Sequence, residues 1–428
     1  MSEDAGRGRT LVIAVDGFGP QDAEEITAGM PATAHPRLLE AVPGPVQSLT
    51  ILPGGPSEPV PALVSLSTGA SVAHTGVATE IPFEPGSPES RPTWYANSLL
   101  APTLFDQARE QGLVTAALQW PATAGAEIDL CLPLVEDLRH YRNRWEMTEA
   151  TSSPRMVREH LAPRRAAGVQ LSQVPADALV AEIAAEACAS GRIDLLAVRL
   201  TSLGAARREH GPTSPRARRA LDDVVETIEQ VVLAFAPTAQ DRLLLMPGRA
   251  LVPTALLVHP NAALAQQGLM RTDGTRLVDF RALVWPDGPR GALHVRRDEG
   301  EAVHHLALDA LAEIAAHSRL EMRRVDDGVG ATAQTDVIAV LEGGPGTVFG
   351  LSATHRPLVE GDDPYYAGPR AVADPSRPTV ALASGPGLPT AEAEGGWADL
   401  GVTLAGAMGL RLPGATATGM RPCEQQPI

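Results

Sequence analysis

The chain of 428 residues is too long for one small core, and its hydrophobic content of 44% is typical of a globular protein. Its net charge of −16 argues against a nucleic-acid-binding surface and against binding to anionic membranes. All 35 residues of the lysine-plus-arginine total are arginine, which excludes mechanisms that need a lysine, such as a Schiff base or a P-loop lysine.

Cysteine usage and hydropathy define the broad class of the protein. The three cysteines are scattered along the chain, which fits neither a disulfide framework nor a zinc knuckle. No apolar run reaches the ~18 residues of a membrane span, and the N-terminal residues lack the apolar core of a signal peptide. We therefore expect a cytoplasmic protein with one large α/β domain that carries an inserted subdomain, or with two domains.

The first predicted strand leads to the first candidate functional residue. Residues 11–15 are continuously apolar, which is typical of a strand buried on both faces. Asp16 follows at the carboxyl end, where open α/β sheets place their ligand sites. Gly17 and Gly19 allow the backbone to turn sharply there. Asp16 is therefore either a ligand for a cation or the cap of a turn or helix.

Strands and helices alternate along the following residues. Ser214 and Pro215 predict a helix N-cap followed by proline at the first helical position. Residues 122–175, rich in proline and arginine, are predicted to be irregular. The alternation predicts a mainly parallel sheet with helices on both faces. The predicted strands are 114–119, 194–200, 242–246, 335–341 and 379–384, and the predicted helices are 103–110, 175–190, 215–235 and 397–408.

Residues 253–330 differ in character from the segments around them. Short strands are predicted at 254–259 and 292–295, and a helix is predicted at 301–317. These elements predict a small inserted α+β cap over 253–330. The core is then predicted to comprise residues 1–252 and 331–428.

Five segments occur in an order that is typical of one superfamily. They are the strand that ends at Asp16, followed by residues 57–76, 119–133, 199–214 and 398–413. In this order they resemble the alkaline-phosphatase superfamily, specifically its nucleotide pyrophosphatase/phosphodiesterase-like branch. The resemblance extends over nearly the whole chain and implies an alkaline-phosphatase-like fold.

The resemblance also implies a catalytic site made of two zinc-like cations and a threonine or serine nucleophile. Asp16 and His355 keep the residue types that ligate metal in such enzymes. The nucleophile position falls on Pro59, which has no side-chain oxygen or sulfur. Ser57 lies two residues earlier and would replace the nucleophile only if the loop were reshaped.

The remaining ligand positions hold residues that do not bind metal. The resemblance aligns Gly204 and Arg208 with an acid and a histidine, and it aligns Pro247 and Gly248 with an aspartate and a histidine. Without those donors, two divalent cations would meet far less negative charge. The resemblance therefore predicts that a dimetal site of the family type does not form.

Arginine and histidine near these positions suggest what replaces the metal ions. Arg208 and Arg249 either pair with Asp16 in the vacated volume or form a metal-free anion pocket, since guanidinium binds phosphate and carboxylate in a bidentate manner. His210 is a candidate displaced ligand or catalytic group, and the alternative is a loop histidine beside Glu209.

Three hypotheses follow for function. The first is a non-hydrolytic pseudoenzyme that needs no cofactor and binds a protein partner or a small anionic ligand. The second is a metal-independent enzyme on the same scaffold, with His210, His355 or the acids at 362–363 as acid and base. The third is a phosphoester hydrolase that uses zinc or manganese with relocated residues such as Ser57 and His210.

Overall fold

The computed structural model describes most of the chain, with short gaps between the described ranges. One central sheet positions Asp16, the first candidate site residue. The described residues are 8–27, 36–56, 58–85, 92–137, 139–172, 174–274, 276–318, 320–325, 329–361 and 368–423.

The strands are numbered in chain order. They are β1 (Thr10–Val15), β2 (Gln47–Ile51), β3 (Thr115–Leu118), β4 (Leu130–Leu132), β5 (Leu195–Leu200), β6 (Arg242–Pro247), β7 (Leu251–Pro253), β8 (Leu256–Val258), β9 (Met270–Asp273), β10 (Arg276–Phe280), β11 (Ala282–Asp287), β12 (Arg290–Arg296), β13 (Glu321–Arg324), β14 (Thr335–Glu342), β15 (Thr347–Phe349), β16 (Val359–Gly361), β17 (Ala371–Ala373), β18 (Thr379–Ser384), β19 (Ala393–Gly395) and β20 (Arg421–Pro422).

The helices are numbered in the same way. Within the described ranges, none of them combines the length and the apolar character needed to cross a membrane. They are α1 (Pro20–Thr27), α2 (Pro36–Ala41), α3 (Pro59–Thr68), α4 (Val72–Thr75), α5 (Leu104–Glu110), α6 (Arg144–Thr151), α7 (Pro154–Met156), α8 (Ala162–Ala166), α9 (Asp177–Ser190), α10 (Ser202–His210), α11 (Pro215–Phe235), α12 (Pro260–Gln266), α13 (Glu301–Ser318) and α14 (Trp397–Ala407).

The main sheet has nine strands in the order β20-β19-β2-β18-β6-β1-β5-β3-β4. Pairing is parallel from β6 through β1, β5 and β3 to β4. Strand β18 is antiparallel to both of its neighbours. The predicted α/β class with a mainly parallel sheet is confirmed, and β1 lies near its centre.

Strand β1 contributes to a hydrophobic core on each face of this sheet. Leu11, Ile13 and Val15 pack in the core that contains α9 and α11. Val12 and Ala14 pack in the core that contains α3, α5 and α14. Successive strand residues point to opposite faces, so a continuously apolar strand needs cover on both sides. Asp16 therefore lies directly after a fully buried strand.

A second sheet, with the order β11-β12-β14-β13, has its own hydrophobic core. Helices α12 and α13 contribute apolar side chains to that core. This α+β unit contains the strand predicted at 292–295 and the helix predicted at 301–317. The strand predicted at 254–259 corresponds to β8, which pairs with β15 and β16 in a separate small sheet. The predicted domain boundaries stay a prediction, and β14 joins this sheet although it lies beyond residue 330.

The prediction that residues 122–175 are irregular is wrong. This segment contains β4, α6, α7, a π-helical turn and α8. The Asn143 side chain accepts a hydrogen bond from the Glu146 amide at 3.0 Å and caps α6. Ser153 caps α7 in the same way. Such short helices are defined by their caps rather than by a long apolar stripe, and periodicity therefore does not detect them.

The cap of the 21-residue helix α11 gives a first testable prediction. The Ser214 hydroxyl accepts from the Ala217 amide at 3.1 Å, as predicted for an N-cap. We expect Ser214→Ala to lower the free energy of unfolding by about 1 kcal/mol, because that amide loses its partner. Urea denaturation measures the change, and Ser214→Asp should keep most of the stability. Equal losses in both variants would contradict this role of the hydroxyl.

Candidate functional site

Asp16 is bound by a residue that the sequence analysis did not single out. The Arg199 side chain donates from Nε to Asp16 Oδ1 at 3.1 Å and from Nη2 to Oδ2 at 2.7 Å. Asp16 and Arg199 are 6% and 5% exposed, so the ion pair is buried. Both carboxylate oxygens of Asp16 therefore have a cationic partner.

The register of the main sheet places Arg199 beside Asp16. Strand β5 pairs with β1 in parallel, with Arg199 opposite Ala14, two residues before Asp16. Burial lowers the pKa of Arg199, but the carboxylates of Asp16, Glu80 and Glu58 raise it, and the net shift is upward. The guanidinium is thus held in its charged form by surrounding acids.

Helix α10 carries two adjacent arginines that connect separate parts of the core. Arg208 donates from Nη2 to Glu58 Oε2 at 2.9 Å. Arg207 binds the Asp22 carboxylate on α1 through two hydrogen bonds of 2.6 and 2.8 Å. Helix α10 is in this way tied both to α1 and to the residue before α3. Arg208 therefore joins Asp16 in one cluster, but its direct partner is Glu58.

Two further acids, Glu80 and Asp287, complete what we call the acid–arginine cluster, which comprises Asp16, Glu58, Glu80, Asp287, Arg199 and Arg208. Burial and the nearby Glu58 carboxylate raise the pKa of Glu80 to about 7. Burial, followed by the charges of Glu58 and Glu80, raises the pKa of Asp287 to about 8. At neutral pH these acids are therefore wholly or partly protonated, and the bound protons relieve repulsion among carboxylates.

Three glycines bring backbone segments into direct contact at the end of β1. A Cβ on Gly204 would lie 2.8 Å from Asp16 Cβ, and one on Gly17 would lie 2.7 Å from Gly204 Cα. A Cβ on Gly248 would lie 3.2 Å from the Gly17 nitrogen. The cavity that Asp16, Pro59 and Gly248 line measures about 20 Å³. The space beside Asp16 is therefore no larger than one or two water molecules require.

Arg249 lines the small cavity beside Asp16, but it makes its hydrogen bonds to main-chain carbonyl groups and not to the acids of the cluster. Its guanidinium donates to the carbonyl oxygens of Leu52, Gly54, Pro56 and Arg377. Burial, with a smaller effect of the Arg290 charge, lowers its pKa to about 10. These contacts give Arg249 a structural role, in which it holds residues 52–56 against the segment just before β18.

The other predicted site residues are dispersed. His210, at the end of α10, lies 3.2 Å from Arg216 Nη1 and 3.5 Å from Glu209 Oε1. His355 Nε2 lies 3.0 Å from Glu360 Oε1, and its ring stacks on His259 with centroids 4.0 Å apart. Ser57 and the acids at 362–363 lie outside the described residues. The structure thus does not bring His210 or His355 into contact with Asp16 among the described hydrogen bonds.

A cavity of about 620 Å³ lies between the second sheet and residues 71–83. Phe83 and Trp285 form an aromatic wall, with ring centroids 5.2 Å apart. Arg290 and Arg323 supply positive charge, and both lie near the Glu342 carboxylate. Asp287 also lines this cavity and connects it to the acid–arginine cluster. The volume is in the range that small-molecule sites occupy.

This architecture is that of an alkaline-phosphatase-like α/β protein, and sequence comparison gives the family. The family model described as type I phosphodiesterase / nucleotide pyrophosphatase matches residues 10–323. The chain therefore belongs to the type I phosphodiesterase/nucleotide pyrophosphatase family. No curated protein matches the sequence.

Solved structures support the fold assignment. Murine ectonucleotide pyrophosphatase / phosphodiesterase 5 is similar with a TM-score of 0.57 and 14% identity over 94% of this chain and 96% of that chain. An inactive variant of the murine protein, in complex with AMP, matches with a TM-score of 0.57 and 14% identity over 95% and 96% of the two chains. Human ectonucleotide pyrophosphatase / phosphodiesterase 5 is similar with a TM-score of 0.58 and 14% identity over 97% of each chain. At this identity the likeness shows the fold alone.

Most of the acid–arginine cluster was not predicted from the sequence. One signal in the sequence could have indicated Arg199, which is the single charged residue in the otherwise apolar strand β5. A charge in a buried strand requires a partner of opposite charge. Glu80 and Asp287 gave no such pattern. Asp287 reaches the cluster because the turn of the β11–β12 hairpin approaches Glu58, where a Cβ on Gly288 would lie 2.6 Å from Glu58 Oε1.

The buried pair predicts an asymmetry between single and double substitutions. Arg199→Met leaves the Asp16 carboxylate buried without its partner, and we expect a loss of about 3 to 5 kcal/mol in the free energy of unfolding. The double variant Asp16→Leu/Arg199→Met removes both charges and should recover most of that loss. Urea denaturation provides the measurement. A double variant as unstable as Arg199→Met would contradict the prediction.

The raised pKa values predict how stability depends on pH. Between the ordinary pKa values of these acids and about pH 8, the folded state binds more protons than the unfolded state, so stability falls as pH rises. We expect Glu80→Gln and Asp287→Asn to flatten this decline and to raise the melting temperature at pH 8 more than at pH 5. Calorimetry at the two pH values measures the effect, with the exposed Glu321→Gln as control. Equal shifts at both pH values would refute it.

Proposed function

We propose that this protein is a non-hydrolytic member of its family that binds a small anionic ligand. The observation that carries the proposal is the bidentate bond between Arg199 and Asp16, which occupies both oxygens of the carboxylate assigned to metal binding. A divalent cation at Asp16 would have to displace a buried guanidinium and would then lie close to it. Repulsion between the two cations opposes this arrangement.

The neighbouring residues do not fit two metal ions either. Pro59 occupies the expected nucleophile position at the start of α3, where its fixed φ suits the first helical turn. Gly204 and Gly248 stand at expected ligand positions, and backbone contacts leave little or no room there for a longer side chain. The cavity of about 20 Å³ beside Asp16 agrees with this interpretation. We therefore derive no catalytic step through a metal pair.

The charges of the acid–arginine cluster support the same proposal. The resemblance implies two divalent cations as the positive charge beside the carboxylate of Asp16. Here Arg199 and Arg208 supply the positive charge. Protons on Glu80 and Asp287 reduce the negative charge further. The cluster is thus self-compensated, and added metal ions are not needed for its stability.

The cavity of about 620 Å³ is the ligand site that we propose. Its aromatic wall of Phe83 and Trp285 suits a flat ring, and Arg323, which is exposed on β13, suits an anionic group. A protonated Asp287 adds a hydrogen-bond donor and does not repel an anion. AMP is a suitable probe because it combines a purine with a phosphate, and because an inactive variant of the murine relative is in complex with it.

Binding of AMP provides the test of the ligand site. We expect saturable binding by isothermal titration calorimetry at pH 7, at least about tenfold weaker in Arg323→Gln because a charged hydrogen bond is lost. Arg324→Gln is the matched control, because Arg324 is the next residue on β13 and does not line the cavity. Binding should also weaken above pH 8, where Asp287 becomes ionised. Equal effects of the two arginine variants would refute the site.

Hydrolysis provides the test of the non-hydrolytic assignment. We expect no turnover of bis-p-nitrophenyl phosphate above background when zinc or manganese is supplied, because the residues beside Asp16 do not fit a metal pair. Metal-dependent turnover that disappears in Asp16→Asn would contradict the proposal and favour the hydrolase hypothesis. Turnover that persists in Asp16→Asn would have to be assigned to another site or to a contaminant.

One observation favours a second function. Glu80 and Asp287 have pKa values raised to about 7 and about 8, and Asp287 lines the large cavity. Acids that titrate near neutral pH beside a cavity suit general acid–base catalysis. This alternative predicts turnover of a cavity ligand in the presence of a chelator, lost in Asp287→Asn. The expected cytoplasmic location and a protein partner stay predictions.

A further inference from the structure

Three possible metal ligands converge beside a small sheet that is separate from the acid–arginine cluster. Strands β15, β8 and β16 form this sheet, with β8 in the middle. His259 follows β8 directly, Glu360 lies in β16, and His355 precedes β16. One donor atom from each of these side chains lies within 4.8 Å of the others. Regular strand pairing thus positions at least two of the three groups.

His259 is buried without hydrogen bonds to its ring nitrogens from the described residues. It is 5% exposed, and neither ring nitrogen has a hydrogen-bond partner among the described residues. Buried imidazole nitrogens are normally hydrogen-bonded, since burial without a partner costs free energy. The ring also fits closely against Gly350, where a Cβ would lie 2.6 Å from His259 Nδ1. Glycine at this position makes room for the ring.

Main-chain contacts hold the other parts of this group in place. The His259 amide donates to the Leu358 carbonyl at 2.8 Å, which fixes the chain beside β16. The His355 amide donates to the Ser352 hydroxyl at 3.1 Å. The His355 ring stacks on His259, and its Nε2 lies 3.0 Å from Glu360 Oε1. Two imidazoles and one carboxylate are therefore held together before any ion binds.

We propose that His259, His355 and Glu360 bind a single divalent transition-metal ion, with zinc as the first candidate. Two imidazoles and a carboxylate form a donor set that suits zinc and leaves at least one coordination position open. Coordination requires the stacked rings to separate slightly, and the 39% exposed His355 side chain has freedom to do so. His355 is one of the ligand positions implied by the resemblance, whereas His259 and Glu360 are not among them. The proposed site thus shares His355 with the family's ligand set but does not include Asp16.

Zinc stoichiometry of the full-length, tag-free protein tests the proposal. After dialysis against zinc and removal of unbound ion, we expect about one zinc per chain by mass spectrometry, and a melting temperature that rises with zinc concentration. We expect His259→Phe, which keeps a flat buried ring, and Glu360→Gln to weaken zinc binding at least about tenfold. His305→Ala, at an exposed histidine on α13, should bind zinc like the unchanged protein. Visible absorption of the cobalt-substituted protein should change in the same variants.

The outcomes separate this proposal from the proposed function. Zinc that is retained in His259→Phe and Glu360→Gln, or no zinc bound by the folded protein, would overturn the metal site. Zinc that is lost in Asp16→Asn/Arg199→Gln but kept in His259→Phe would overturn both the metal site and the non-hydrolytic assignment. Zinc that is lost in His259→Phe and kept in the double variant would support both. Circular dichroism establishes that each variant is folded.

Discussion

The end of strand β1 is organised by the need to compensate a buried carboxylate. Asp16 follows a strand that is covered on both faces, so its charge cannot be solvated by bulk water. Arg199 on the neighbouring strand supplies the compensating charge in a bidentate geometry. The arginines of α10 and the close approach of Gly17, Gly204 and Gly248 then close the space around the pair. The local backbone and the local charges therefore favour the same closed arrangement.

Electrostatic interactions also link this closed site to the cavity beside it, because Asp287 belongs to both. Burial raises the pKa of Glu80 and Asp287, and the neighbouring carboxylates of the cluster raise it further. Asp287 is therefore largely protonated at neutral pH, although it lines a cavity of about 620 Å³. The proposed anion site depends on this proton, since an ionised Asp287 would repel a phosphate. The acid–arginine cluster around Asp16 and the proposed ligand site are in this way electrostatically coupled through Asp287.

Sequence patterns predicted the fold better than they predicted the site. Continuous apolar runs such as residues 11–15 and the Ser214 cap depend on local chemistry, and the structure confirms both. Asp16 was singled out because it ends a buried strand, which is also a local property. Its partner Arg199 is 183 residues away, and only strand register brings the two together. The approach of Asp287 to Glu58, and of His259 to His355, depends on tertiary packing that periodicity does not report.

The central claim is that a guanidinium, and not a metal ion, neutralises Asp16. Anomalous diffraction at the zinc edge, from crystals grown with zinc, tests it most directly. The account predicts no anomalous peak near Asp16, where Arg199 stays bound to both carboxylate oxygens, and a single peak between His259, His355 and Glu360. A peak bonded to Asp16, with Arg199 displaced, would contradict the account and restore the metal-dependent hydrolase as the preferred hypothesis.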